Sequence, residues 1–137
     1  MPIGAKLEHS IYVPGQLFSV NQATADNIPN LFARNERLVA FFSTPVGPMA
    51  MVLVGAMIVA GIETVWGGDE APLKRKVKVT DFTQQPKLDF NLGDEMGRFK
   101  LGSTVILLFG KDAIEWQEGL AAGSPVSMGE VIASSKS

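Results

Sequence analysis

Apolar residues in this chain come in short runs cut by glycine, proline and small polar clusters, and the runs read as strands far more often than as helices. Lys6 to Val13 predicts a strand stopped by Pro14-Gly15, with Gln16 to Asn21 continuing extended. Asn21 is placed to cap a short helical turn through Asp26 that ends before Pro29, and Leu31-Phe32-Ala33 is apolar enough to pin the loop that follows. Arg37 to Ser43 predicts a buried strand, Pro45 to Pro48 a hairpin connection, and Met49 to Val54 and Met57 to Trp66 two more strands. After a loop from Gly67 to Pro72, Lys74 to Val79 alternates with period two, the mark of a half-exposed strand. Gln84 to Leu92 is weakly patterned, and Gly93 to Gly97 is a turn. Thr104 to Phe109 is a strongly apolar strand, and Ile114 to Leu120 leads to a turn at Gly123-Ser124-Pro125. Val126 to Ala133 closes with a strand pair, leaving a disordered tail from Ser134. The sum is a mostly-β chain, a sandwich or barrel-like hybrid of short strands with little helix.

Composition narrows the chemistry. The length of 137 residues suits one domain or part of one, and with 46% hydrophobic residues an open half-domain would expose apolar surface. A net charge of −2 argues against a nucleic-acid partner. The absence of cysteine excludes disulfides, thiolate metal sites and a cysteine nucleophile, and a single histidine argues against a histidine metal centre. Met49 to Ile62 carries no charge, yet it is too short to span a bilayer and is broken by Gly55 and Gly61; it reads as two adjacent buried strands.

The most informative stretch is Gly97-Arg98-Phe99-Lys100-Leu101-Gly102-Ser103-Thr104-Val105-Ile106, which sets a Gly-Ser pair at the threshold of an apolar strand. Glycine has no side chain to block approach to its carbonyl, so the hydroxyl of Ser103 can attack the Gly102 carbonyl from within one turn. By itself such a pair is more often an ordinary turn.

The surrounding words change the weighing. Ile11-Tyr12-Val13-Pro14-Gly15 leads into Leu17-Phe18-Ser19-Val20-Asn21, and Asn27-Ile28-Pro29-Asn30-Leu31-Phe32-Ala33-Arg34-Asn35-Glu36-Arg37 follows. With Glu95 to Thr104, these blocks resemble the C-terminal half of bacterial phosphatidylserine decarboxylase proenzymes, and the likeness runs from Met1 to about Ala133. Gly47-Pro48-Met49-Ala50, Val54-Gly55-Ala56 and Ile62-Glu63-Thr64-Val65-Trp66 also match the family, while 67 to 91 fits poorly. The resemblance implies that residues 1–137 are the C-terminal part of the catalytic domain. It implies self-cleavage at Gly102–Ser103, with 1–102 the end of the β chain and 103–137 the α chain. Ser103 would become a covalent pyruvoyl group, whose ketone forms a Schiff base with the amine of phosphatidylserine and takes up the electrons left as carbon dioxide departs. The family also implies peripheral attachment to the cytoplasmic side of the bacterial cytoplasmic membrane, with the α and β chains staying together.

Self-cleavage needs a base for the serine proton. In the family that base is a histidine immediately before the methionine matching Met1, oriented by an upstream aspartate, so the chain is expected to be a fragment that stays uncut. His9, in the polar patch Leu7-Glu8-His9-Ser10, reads as a solvated strand histidine. Lys74, Arg75, Lys76 and Lys78 form the one basic cluster, read as a solvated hairpin face with anionic lipid headgroups as the competing partner. Arg34, Asn35, Glu36 and Arg37 form a polar knot that either grips a substrate anion or ties a loop down by internal ion pairs, and Ser19 and Asn21 share that ambiguity. Lys100 is expected to flank the junction with its charge in water. The reading from a different class is a non-catalytic β-rich carrier or ligand-binding module, for which Lys100 or Lys111 would be the attachment lysine.

Overall fold

The computed structural model describes residues 1–57, 61–70, 76–85, 88–100 and 104–136. Its strands are β1 (Ala5–Val13), β2 (Arg37–Thr44), β3 (Gly47–Val54), β4 (Ile62–Thr64), β5 (Gly68–Asp69), β6 (Lys78–Asp81), β7 (Asp89–Phe90), β8 (Gly97–Phe99), β9 (Thr104–Phe109), β10 (Ile114–Trp116) and β11 (Ala133–Ser135). Helix among the described residues is confined to α1 (Gln22–Asn27) and α2 (Leu31–Arg34). The chain is mostly β, as its pattern predicts.

Among the described residues three sheets result. The largest runs β6-β1-β2-β3-β9, with β7 also paired to β1; β5-β4-β8 and β10-β11 are smaller. β2 and β3 form a hairpin whose ends pair as Thr44 with Gly47. Thr44 Oγ1 donates to the Gly47 carbonyl at 2.7 Å and accepts from the Val46 amide at 3.2 Å, and Gly47 takes a φ of 103° that favours glycine. α1 is capped as its sequence predicts. The Asn21 side chain accepts from the Thr24 amide, and Thr24 Oγ1 accepts from the Asn21 amide in return.

Along β2, Leu38, Ala40 and Phe42 are buried while Val39, Phe41 and Ser43 are not; along β3 the same alternation buries Met49, Met51 and Leu53. These buried residues form the inner face of the large sheet. Ile62 of β4 and Phe82 are buried in the same cluster, with Phe99, Trp66 and Phe90 packed against it. Edge-to-face contacts link Phe90 to Phe42 at 6.2 Å and to Trp66 at 6.1 Å. Fully burying one such side chain stabilises by roughly 2–3 kcal/mol, so this face supplies most of the driving force for folding.

Several boundaries differ from the pattern, among them β5 within the expected loop from Gly67 to Pro72 and β8 beginning at Gly97 of the expected turn. Met57 to Trp66 is not one strand: 58–60 lie outside the described residues, β4 is short, and a turn follows it. Thr64 Oγ1 accepts from the Gly67 amide at 3.1 Å and donates to the buried Glu70 carboxylate at 3.2 Å, which closes the chain on itself. Of the expected strand Lys74 to Val79, residues 74 and 75 lie outside the described residues, and β6 begins only at Lys78 because its pairing with β1 runs from Tyr12 to His9. Val126 to Ala133 holds a turn rather than a strand pair. There the Ser127 amide donates to the Glu130 carboxylate and the Glu130 amide to the Ser127 carbonyl. The tail expected to be disordered from Ser134 instead pairs, Ser134 with Glu115 and Ser135 with Ile114.

Candidate functional site

Gly102 and Ser103, with Leu101, lie outside the described residues, so the site is defined by what holds its two flanks. The flanks belong to different sheets. On the N-terminal side, β8 pairs with β4 through Phe99 opposite Ile62 and Gly97 opposite Thr64. The Lys100 amide then donates to the Gly61 carbonyl at 3.3 Å. The Lys100 side chain crosses Gly61 so closely that a Cβ there would come within 2.8 Å of Lys100 Cδ, and Gly61 takes a φ of 153° besides. Lys100 Nζ reaches Asp69 Oδ1 at 2.7 Å. Its hydrogen bond to the Asp69 carboxylate, then the charge of Asp69, holds the Lys100 ammonium above the ordinary lysine range. Lys100 is half exposed, as its sequence reading expects, and its charge is also paired with Asp69 of β5. Lys111 is exposed in the turn after β9.

On the C-terminal side, β9 pairs antiparallel with β3 over its whole length, starting with Thr104 opposite the fully buried Val54. Beyond Val54 the chain enters a buried polar cluster. The Gly55 amide donates to the Glu36 carbonyl at 2.8 Å, and Asn35 Nδ2 donates to the Gly55 carbonyl at 3.0 Å and the Phe18 carbonyl at 2.9 Å. Asn35 Oδ1 accepts from the Phe18 amide at 2.9 Å, which leaves this fully buried amide well satisfied. The hydroxyl of Tyr12 donates to the Glu36 carboxylate, and both residues are buried. Gly15 presses on the backbone of this turn, where a Cβ would lie 2.5 Å from the Arg34 carbonyl oxygen and the Glu36 nitrogen.

The polar knot therefore ties a loop. It does so mainly through hydrogen bonds to backbone, where the sequence suggested ion pairs. Arg37 Nη1 donates to the Ala33 carbonyl at 2.7 Å and the Asn35 carbonyl at 3.1 Å, and the Arg34 guanidinium lies over the Phe18 ring at 4.7 Å. Asn21 caps α1, and the Ser19 carbonyl accepts from Thr24 Oγ1 at 2.6 Å. The Tyr12–Glu36 pair was missed by sequence reasoning. A glutamate at the entrance of so apolar a strand as β2 is the signal that would have found it, since a buried carboxylate requires a donor.

His9 stands apart. Its Nδ1 is 3.7 Å from Asp81 Oδ1, and it lies in the row that runs through Phe41 and Ala50 to Leu108. Three strand spacings and four residues along β9 separate it from Thr104, on the order of 20 Å. Of the basic cluster, Lys76 is exposed and Lys78 faces the Glu70 carboxylate at 3.8 Å, while Lys74 and Arg75 lie outside the described residues.

The chain matches the family model described as phosphatidylserine decarboxylase over residues 1–134. It is 58% identical over 132 residues to the phosphatidylserine decarboxylase proenzyme of Pseudomonas fluorescens Pf-5, covering 95% of this chain and 46% of that protein. The corresponding proenzymes of Pseudomonas entomophila L48 and Ectopseudomonas mendocina ymp are 56% and 54% identical, over 97% and 96% of this chain and 47% of each relative. The chain thus spans about half the length of the curated relatives it matches.

Proposed function

The chain belongs to the phosphatidylserine decarboxylase family, and from that premise we propose that it carries the self-processing junction of a pyruvoyl-dependent decarboxylase of phosphatidylserine. The reaction yields phosphatidylethanolamine and carbon dioxide. One observation supports the placement of the junction above others: Gly102–Ser103 links two strands that are held independently, β8 to the small sheet and β9 to the large one. Breaking that link leaves each end anchored.

The residue types suit the chemistry. The hydroxyl oxygen of Ser103 adds to the Gly102 carbonyl and the amide becomes an ester, with the proton passing to a base. Loss of the Ser103 α-proton then expels the Gly102 carboxylate, leaving a dehydroalanine at position 103. Its imine tautomer takes up water and releases ammonia, so the new N-terminus is a ketone. When formed, that pyruvoyl group supplies an electron sink for the carbon left by carbon dioxide. The chain's own residues then have positioning tasks. Thr104 to Phe109 hold their register on β3 from Thr104 opposite Val54, and Lys100 ties the end of β8 to β5 through Asp69. The lipid substrate sets the work at a membrane surface, reached peripherally from the cytoplasmic side in a bacterium. No helix among the described residues is long and apolar enough to cross a membrane.

The test joins this chain to the remaining portion of the Pseudomonas fluorescens proenzyme and follows intact mass and carbon dioxide release. The reading expects a break between Gly102 and Ser103, a mass change at the new N-terminus from loss of ammonia, and an uncut, inactive Ser103→Ala protein. Decarboxylation by the uncut Ser103→Ala protein would overturn it.

A further inference from the structure

Two carboxylates are buried among the described residues, Glu36 and Glu70, and they are provided for unequally. Glu70 accepts from Thr64 Oγ1 at 3.2 Å and has the Lys78 ammonium at 3.8 Å. Glu36 accepts from the Tyr12 hydroxyl at Oε1, and among the described residues its Oε2 has neither a hydrogen bond nor a cation. The neighbouring guanidinium groups are occupied elsewhere, Arg37 on two carbonyls and Arg34 on the Phe18 ring. A carboxylate taken out of water with one donor is under-provided, because its two oxygens can accept from several N–H or O–H groups.

The fold gives that open oxygen a direction. Glu36 extends the buried alternation of Leu38, Ala40 and Phe42 by one step, so its side chain lies on the inner face of the large sheet. Beside it stands Gly55, whose amide donates to the Glu36 carbonyl. A Cβ at Gly55 would lie 3.8 Å from Glu36 Oε2, so the carboxylate overhangs a position that has no side chain. Val54, one residue back, is opposite Thr104, the first described residue after the junction. Strand spacing and rise put Oε2 on the order of 8 Å from the Thr104 Cα. Thr104 is one peptide bond from Ser103, and consecutive Cα atoms are about 3.8 Å apart. The amine end of a substrate condensing next to Thr104 would bridge such a distance.

We propose that Glu36 is a catalytic residue that receives the primary ammonium of the lipid headgroup and takes its proton. The proposal rests on the pyruvoyl reading above and deepens it. An ammonium supplies what Oε2 lacks, a positive charge with several N–H donors for charge-assisted hydrogen bonds. A protonated amine has no lone pair with which to attack a ketone. One N–H proton passes to Glu36, and the electron pair it leaves behind forms the C–N bond at the ketone carbon. The ketone oxygen departs as water with that proton and a second one from nitrogen. Glu36 is thereby returned as a carboxylate, and the Tyr12 hydroxyl holds its other oxygen in place. The same arrangement selects a primary ammonium over a quaternary headgroup, which has no N–H to give.

The experiment again joins the chain to the remaining portion of the Pseudomonas fluorescens Pf-5 proenzyme and follows two trapping rates by mass. Glycerophosphoserine with cyanoborohydride offers the ketone a nucleophile that arrives as an ammonium. Hydroxylamine arrives uncharged at neutral pH and needs no base. For Glu36→Gln the expected result is trapping of glycerophosphoserine slowed by about 100-fold, with the hydroxylamine rate unchanged. Should Glu36→Gln stay uncut, Glu36→Asp withdraws the carboxylate by one methylene and is read in the same way, with an expected loss of about tenfold. Equal slowing toward both reagents, or no slowing toward either, overturns the inference. So does failure of both variants to mature, which would make Glu36 a folding or processing residue. A parent protein that stays whole and reacts with neither reagent would instead remove the pyruvoyl reading, and the inference with it.

Discussion

The two faces of the large sheet use nearly the same residue types and have different fates. Phe42 and Phe41 are neighbours on β2, yet Phe42 is 1% exposed inside the aromatic cluster and Phe41 is 37% exposed on the other side. Composition along a strand therefore tells that a face is made for burial, but not by what it is buried. The inner face finds its cover within this chain, whereas Phe41, Val79 and Leu108 on the outer face are exposed.

The sharpest way to break the comparison is to truncate one residue on each face. Phe42→Ala should cost about 3–5 kcal/mol of unfolding free energy, since the cavity cannot collapse beneath a packed ring. Phe41→Ala should cost under about 0.5 kcal/mol in the chain alone. Paired urea melts check this, and equal losses would mean that the outer face is already covered. Next in size is Tyr12→Phe, which removes a donor from the buried Glu36 carboxylate and should cost about 1–3 kcal/mol in the same melts.

Smaller effects lie at the rims. Replacing Lys100 by methionine should lower the melting temperature slightly, and the difference should shrink in high salt. Because the Lys100 pKa is raised by its hydrogen bond to Asp69, its stabilising contribution is complete below the ordinary lysine value of 10.5 and is lost as pH rises through the raised one. Melting followed from pH 9 upward checks the sign. The smallest effect is at the edge of the outer face. The Asp81 carboxyl is held below its ordinary 3.8 first by the Thr83 hydroxyl, at 2.7 Å, then by the Thr83 amide. Its contribution is therefore present above the ordinary value and lost as pH falls through the lowered one. Thr83→Ala should move the Asp81 titration back up, as read by carboxyl-carbon NMR.

Much of the fold was legible because β1, β2, β3 and β9 each carry their pattern locally. Pro14-Gly15 ends one strand, Gly47 turns the next, and Asn21 caps its helix with a side chain three residues from its target. The boundaries that sequence misplaced depend on distant partners. β6 starts where β1 offers Tyr12, and Ser134 is ordered because Glu115 lies opposite. At the junction, the Gly102-Ser103 pair was visible as chemistry and its family as a set of words, but the residues themselves lie outside the described ones. The pairing of Lys100 with Asp69 joins residues 31 positions apart and could not be read from neighbours.

What the sequence determined by itself is therefore what short-range sterics and periodicity encode: β content, most turn positions, a helix cap, and a Gly-Ser pair at the start of an apolar strand. Tertiary structure alone decided which apolar face is sealed and which is open, that Glu36 finds the Tyr12 hydroxyl, and that the two flanks of the junction belong to different sheets. The reason is physical. Burial and charge pairing are properties of surfaces brought together from distant parts of the chain, and no local pattern records which surface will arrive.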